Sequence, residues 1–174
     1  EIRLSLVGSE MCIRDRFMQQ DSGYLVFLDM DNLKKMNDLY GHKAGDRALK
    51  LLGSLLMEYT RHAVVCRLGG DEFLMFVPKV SKERITEIVT GIQKDFDAEK
   101  EKDPEIRFAS VSAGICEVNK GDPFEECYSK ADKALYYVKQ NGKGSGYILS
   151  LQAAGSRERR QMILKDCWKI KARW

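Results

Sequence analysis

The chain has 174 residues, 44% hydrophobic and 32% charged, with 29 Lys and Arg against 26 Asp and Glu. That length and balance set one water-soluble domain with a full core as the expectation, and no apolar run approaches the roughly 20 residues of a membrane helix. The net charge of +3 is uneven: residues 151–174 hold seven basic residues against two acids, leaving 22 basic and 24 acidic residues in the body, so a nucleic-acid surface is not indicated there and only the tail has the charge for one.

The first sixteen residues match nothing downstream. Ser5 to Arg16 resembles a translated transposon-end sequencing adapter, so residues 1–16 are expected to be non-native, and a chain opening on Glu1 rather than Met is expected to be a piece of something longer. No signal peptide is visible. From Tyr24 the elements alternate. Tyr24 to Leu28 is a β-rich apolar run closed by Asp29-Met30-Asp31, and a strand over 24–29 is followed by a helix near 32–39 that breaks at Tyr40-Gly41-His42. Leu49, Leu52, Leu55, Leu56 and Tyr59 fall at helical spacing and predict an amphipathic helix over 46–60. Two short β-rich runs, Ala63 to Cys66 and Phe73 to Val77, flank Gly69-Gly70, and the glycine pair supplies the positive φ angles of a tight hairpin turn. Ile85, Ile88, Val89, Ile92 and Phe96 make the buried stripe of a charged helix from about Ser81 to Glu99, and Asp103-Pro104 is a turn. Arg107 to Val118 reads as a strand or strand pair with Gly114 a candidate bulge, Phe124 to Gln140 as a helix closed by Asn141-Gly142, and Tyr147 to Leu149 as a last strand. Beyond Gly155, residues 157–174 can form a basic amphipathic helix with Ile163, Cys167, Ile170 and Trp174 on one face. The order predicts an α/β sandwich with a largely antiparallel central sheet flanked by helices.

The acids carry the chemistry. Asp71 and Glu72 stand side by side at the mouth of the hairpin, where neighbouring carboxylates repel unless a divalent ion or a proton-transfer task employs them. The period of a strand puts Asp29 and Asp31 on one side. If that strand pairs beside the hairpin, three or four carboxylates converge at one sheet edge. The five cysteines (Cys12, Cys66, Cys116, Cys127, Cys167) are odd in number and contain no Cys-x-x-Cys pair, which fits reduced structural thiols in a cytoplasmic setting better than a metal cluster.

Arg67-Leu-Gly-Gly-Asp-Glu-Phe73 resembles the signature of the GGDEF family, the bacterial diguanylate cyclases. Leu28 to Asp46 resembles the family's other long motif, in the right order. Ala131 to Tyr136, followed by Lys139 and Gly142-Lys143, resembles its last helix. The resemblance runs from about Phe17 to about Leu149, dividing the chain into the segment 1–16, a domain over 17–150 that lacks the family's opening motif, and a basic tail or linker over 151–174. It implies a ferredoxin-like, palm-type fold as in nucleotide cyclases, and the condensation of two GTP into cyclic di-GMP and two pyrophosphates.

The resemblance also implies roles. Asp29, the Met30 backbone carbonyl and Asp71 surround Mg2+ (or Mn2+), which prefers one or two carboxylates with phosphate oxygens and water. Asp71 and Glu72 are the catalytic pair, with Asp71 favoured as metal ligand and base and the role of Glu72 open. Gly69 and Gly70 let backbone and ligand approach closely, although a plain turn would need them too. Asn37 and Asp46 read guanine, since a carboxylate accepts from N1–H and the 2-amino group and an amide both donates and accepts. Taken alone, Asp46 would be an N-cap of the 46–60 helix. The Leu33 backbone, Lys34, Lys139 and Lys143 hold phosphates; Lys143 stands where Arg is common and loses the bidentate fork. Thr60 and Ala63 occupy the positions of the Arg-x-x-Asp product-inhibition site, so no such site is expected. Catalysis would require a homodimer, and an upstream sensor or dimerising domain is expected. The rival is a regulatory GGDEF domain that binds GTP without turning it over.

Overall fold

The structure is a computed structural model that describes residues 10–19, 22–60, 63–141, 144, 146–149 and 169–170. Its elements are α1 (Glu10–Met18), β1 (Ser22–Asp31), α2 (Leu33–Tyr40), α3 (His42–Tyr59), β2 (Val64–Gly69), β3 (Glu72–Pro78), α4 (Lys82–Lys100), β4 (Ser110–Asn119), α5 (Phe124–Gln140), β5 (Gly146–Leu149) and β6 (Lys169–Ile170). They form one sheet in the order β2-β3-β1-β4-β5-β6, in which β4 and β5 are parallel and the other neighbours antiparallel.

Strand β1 sits at the centre and is buried from Gly23 to Asp31. Its side chains alternate between two cores, as the pleat requires. Tyr24, Val26, Leu28 and Met30 join Leu52, Leu56, Ile88, Val89 and Ile92 of α3 and α4 on one face. Leu25 and Phe27 join Phe17 of α1 and Phe124, Cys127, Ala131 and Leu135 of α5 on the other. The two carboxylates that follow, Asp29 and Asp31, continue the phase of Leu25 and Phe27 and fall on the α5 side. Each fully buried large side chain contributes about 1.5–3 kcal/mol, so the two cores hold β1, and with it these acids, in a fixed place.

Several expectations from the sequence are corrected. Strand β1 runs to Asp31, two residues further, because its pairing with β4 continues through Asp31 and Ser110. Helix α3 starts at His42, not residue 46, with Gly41 alone (φ 79°) separating it from α2. Asp46 is therefore inside the helix and caps nothing. Of the glycine pair only Gly70 has a positive φ, 48°; the β2–β3 register slips between Arg67 and Gly69, and that slip shortens the loop to Gly70-Asp71. The region before Val118 is one continuous strand, and Gly114 pairs in register with Phe27 rather than forming a bulge. Helix α1 was not anticipated, and Ile13, inside the segment expected to be non-native, is fully buried. In the tail, Lys169–Ile170 pair with β5 as a strand instead of a helix; residues 157–168 and 171–174 lie outside the described residues.

Gly114 has a packing reason. A Cβ there would overlap the carbonyl oxygen of Ala131 and the amide nitrogen of Leu135, and stand 2.9 Å from Leu135 Cα. The backbone of α5 thus rests directly on β4. Backbone cannot move aside as a side-chain tip can, so Gly114→Ala is expected to cost about 1–3 kcal/mol or more, read as a lowered urea midpoint with an unchanged slope.

On the other face, the Tyr59 hydroxyl of α3 donates to Asp95 Oδ2 of α4 at 2.5 Å. That hydrogen bond raises the phenol to about 12 from its ordinary 10.0. A group whose folded pKa is raised contributes stability that is complete below the unfolded value and is lost as pH climbs to the folded one. The wild type should therefore lose stability relative to Tyr59→Phe between pH 10 and pH 12, and no such difference should develop between pH 7 and pH 9 in thermal melts.

Candidate active site

The C-terminal end of β1, the hairpin loop and the start of α2 meet in a cleft of about 530 Å³, lined by Asp29, Met30, Asp31, Asn32, Leu33, Lys34, Lys35, Asp38, Leu39, Asp71 and Lys139. The main chain sets its geometry. The Met30 N–H donates to the Asp71 carbonyl at 3.0 Å, tying the strand that carries one acid to the loop that carries the other. Arg67 closes the loop, with Nε and Nη2 donating to the Gly70 carbonyl at 3.1 and 2.6 Å. Glu72 lies directly opposite Asp29 in the β1–β3 register, which places the two on one face of the sheet, but its side chain is exposed and does not line the cleft.

Asn32 turns the chain from strand to helix in the left-handed conformation, φ 66° and ψ 13°, which Asn tolerates better than most residues. Its side-chain Nδ2 donates to the Phe108 carbonyl at 3.0 Å. Leu33 and Lys34, the first residues of α2, line the cleft. A helix N-terminus offers unpaired N–H groups and a partial positive charge, suited to phosphate oxygens.

Asp29 is only 5% exposed. Burial pushes its carboxyl above the ordinary value; the Lys139 ammonium, 2.7 Å away, pulls it back, and the carboxylates of Asp71 and Asp31 push it up again. Lys139 is therefore an electrostatic partner of the acid as well as a cleft-lining cation. Asp31, 2% exposed, is stabilised differently: its Oδ2 accepts from Ser110 Oγ at 2.9 Å, Ser112 Oγ at 2.6 Å and the Gly144 N–H at 3.3 Å. The sequence suggested convergence of Asp31 with the others but assigned it no task; its role as an anchor of the segment after α5 depends on two serines about 80 positions away.

Of the residues singled out from the sequence, the fold brings Asp29, Met30, Leu33, Lys34, Asp71 and Lys139 into one cleft. Asn37 and Asp46 lie elsewhere, at the α2–α3 corner, where the Asn37 side-chain oxygen is buried without a hydrogen-bond partner and Asp46 is exposed. Gly69 and Gly70 are exposed at the hairpin tip. Lys143 lies outside the described residues. The Thr60 hydroxyl donates to the Leu56 carbonyl and is buried, and Ala63 is half-buried. Among the described residues no group of three or more His, Cys, Asp or Glu side chains is arranged to hold a metal by itself. Asp29 and Asp71 instead offer the sparse, all-oxygen set that Mg2+ takes when phosphates and water complete its shell, and the charge crowding at Asp29 fits a cation there.

The family profile of the diguanylate cyclase GGDEF domain matches residues 11–145. The chain belongs to the GGDEF family. It is 34% identical over 128 residues to the diguanylate cyclase DgcZ of Escherichia coli (strain K12), covering 69% of this chain and 41% of that protein. With the diguanylate cyclase DgcS of Shewanella oneidensis it shares 35% over 133 residues, 72% of this chain and 42% of that one. It thus spans less than half the length of these relatives. Among solved structures, the active GGEEF domain of a diguanylate cyclase from Vibrio cholerae superposes with a TM-score of 0.67 at 26% identity, over 81% of this chain and 89% of that one. A microbial GGDEF domain in an interaction with cyclic di-GMP gives 0.68 at 31%, over 82% and 90%. The α/β fold with its helix-flanked, largely antiparallel sheet is that of the family.

The Lys139–Asp29 pair of this GGDEF domain can be tested directly. Lys139→Met leaves a buried carboxylate without its cation. With the lysine about one third exposed, the expected loss is roughly 1–2 kcal/mol rather than the larger figure for a fully enclosed pair. Urea unfolding at neutral pH reads it, with Lys139→Arg retaining most of the stability.

Proposed function

We propose that this domain is the catalytic part of a diguanylate cyclase, condensing two GTP into cyclic di-GMP and two pyrophosphates. What carries the reading is the cleft that Asp29 and Asp71, joined by the Met30–Asp71 backbone bond, share with Leu33 and Lys34 at the start of α2. Carboxylates for a divalent cation and donors for phosphate stand together there. Mg2+ held by Asp29, Asp71 and the Met30 carbonyl would polarise the α-phosphate and acidify the attacking hydroxyl. Leu33 N–H, Lys34 and Lys139 take the phosphate oxygens, with Lys143 continuing the set. Asn37 and Asp46 take the guanine edge. An exposed Asp46 that caps no helix is available for that task.

In each half-reaction the 3′-hydroxyl of one GTP attacks the α-phosphorus of the other. The bond from that phosphorus to the α–β bridging oxygen breaks, pyrophosphate leaves, and the hydroxyl proton passes to a carboxylate, for which Asp71 is favoured and Glu72 stands next in the chain. Two such steps close the ring. Because one cleft holds one triphosphate, two protomers must face each other, and holding the reactants in register supplies much of the rate. A homodimer, an upstream sensor or dimerising segment and a cytoplasmic setting belong to this proposal. So do the boundaries at 16/17 and 150/151 and the foreign origin of residues 5–16, which native reads running unbroken through Met11 to Asp15 would overturn. With Thr60 turned inward to Leu56, the reading includes no product inhibition through Thr60 and Ala63.

The test is product formation from GTP and Mg2+ on a fusion to a constitutive dimeriser. Cyclic di-GMP is expected, with Asp71→Ala lowering the rate by about 10²–10⁴-fold. GTP binding without product from the unaltered fusion would replace this reading with a regulatory, GTP-binding domain.

A further inference from the structure

Gly45 is the fourth residue of α3 and is buried. Glycine inside a helix costs about 1 kcal/mol relative to alanine, and a buried helical site with no need for a bare backbone would favour Ala. The reason for Gly45 lies across the helix pair. A Cβ at this position would overlap the Asn37 side-chain oxygen, stand 3.0 Å from Asn37 Cγ and 2.9 Å from Leu33 Cδ1. Leu33 can swing its methyl away; the Asn37 amide has less room, being part-buried in the α2–α3 corner. That corner is tight in its main chain as well: the Gly41 N–H donates to the Asn37 carbonyl at 2.8 Å and the Ala44 N–H to the Gly41 carbonyl at 3.1 Å. A second oddity meets the first at the same contact. The Asn37 oxygen that presses on Gly45 is buried and has no hydrogen-bond partner, which costs roughly 1–3 kcal/mol in a folded protein. A residue that weakens its helix makes room for an amide that gains no protein hydrogen bond there. Neither feature serves stability, and both fix where the Asn37 amide sits against Gly45.

We propose that Gly45 is a positioning residue that determines base specificity: its missing side chain admits the Asn37 amide to the α2–α3 corner in the orientation that meets a guanine. The inference rests on the reading of Asn37 as a guanine contact. It adds that the selectivity of the corner is set by a residue that itself touches no nucleotide. The geometry acts through a single side chain, so the effects of the two positions cannot add.

The experiment is a double-mutant cycle on the full chain, with Gly45→Ala, Asn37→Ala and the pair. Affinity is measured by calorimetry in Mg2+ for a GTP analogue and an ATP analogue, each with a methylene α–β bridge, and stability by thermal melts. Gly45→Ala is expected to weaken the GTP analogue about 5- to 10-fold, the worth of one hydrogen bond, to leave the ATP analogue within twofold, and to lower the melting temperature. In the Asn37→Ala background the same substitution should change affinity by less than twofold, and should raise the melting temperature, because the overlap is gone and only the helix preference remains. That reversal of sign also serves if Gly45→Ala alone folds poorly. Additive losses, equal weakening of both nucleotides, or a melting temperature lowered equally in both backgrounds would overturn the proposal while leaving the guanine reading of Asn37 in place. No loss of GTP-analogue affinity in Asn37→Ala would overturn both.

Discussion

Burial of Asp29 and Asp31 on a strand covered on both faces is the constraint on which the site depends. Taking a carboxylate out of water costs several kcal/mol unless it finds a charge or several donors. Strand β1 places two such groups two residues apart, 5% and 2% exposed. The fold answers each in its own way. Asp29 receives the Lys139 ammonium from the end of α5. On Asp31, Oδ2 receives two serine hydroxyls from β4 and one backbone N–H from beyond α5, while Oδ1 is buried with no hydrogen-bond partner. Both answers come from the same side of the sheet, and both require α5 to lie close to β4. Gly114 makes that possible, because any larger residue would push the α5 backbone off the strand. A glycine in the middle of β4, far from any ligand, thus belongs to the same structure as the carboxylate it helps to neutralise.

The second acid is positioned by main chain instead of packing. Asp71 is half-buried, and its own carbonyl is the acceptor for Met30 N–H. The loop before it is closed by Arg67 on the Gly70 carbonyl. Backbone hydrogen bonds are insensitive to side-chain rotamers, so the spacing of the Asp29 and Asp71 main chains is held before any ligand arrives. Such preorganisation is what the proposed two-carboxylate metal site needs. The carboxylates themselves are left crowded, as the upward push of Asp71 and Asp31 on Asp29 records.

What could be read from the sequence follows the range of the interactions involved. The β-rich apolar run from Tyr24 to Leu28 showed a strand whose period puts Asp29 and Asp31 on one side, and the 3.6-residue stripes of α3 and α4 showed which faces are buried; these patterns are local and survive tertiary packing. The start of α3 was not legible, because Gly41-His42-Lys43-Ala44-Gly45 contains two glycines and no capping side chain, and the helix continues there because α2 packs against it. Nor was the role of Gly114 legible, since a bulge and a helix lying on the strand leave the same single glycine in the text. Among the described residues of helix α1 the buried apolar side chains are Ile13 and Phe17, too few to form a periodic stripe. The cleft itself was visible as types of residue; the pairing of Lys139 with Asp29, across 110 positions, was a matter of the fold.

Helix α2 connects the two halves of the proposed nucleotide site. Leu33 and Lys34 open its N-terminus on the phosphate end, and Asn37 lies one turn on, about 5–6 Å along the axis at 1.5 Å per residue. A nucleotide bound across this helix would reach from the carboxylates to the α2–α3 corner, with its sugar over the intervening turn. That span uses the helix once and the carboxylate pair once. A second triphosphate has no equivalent set within the described residues, yet a cyclic dinucleotide needs two phosphodiester bonds of the same kind. On the proposed reaction, the economy of the site, one helix terminus and one pair of acids per chain, would make a second copy part of the chemistry.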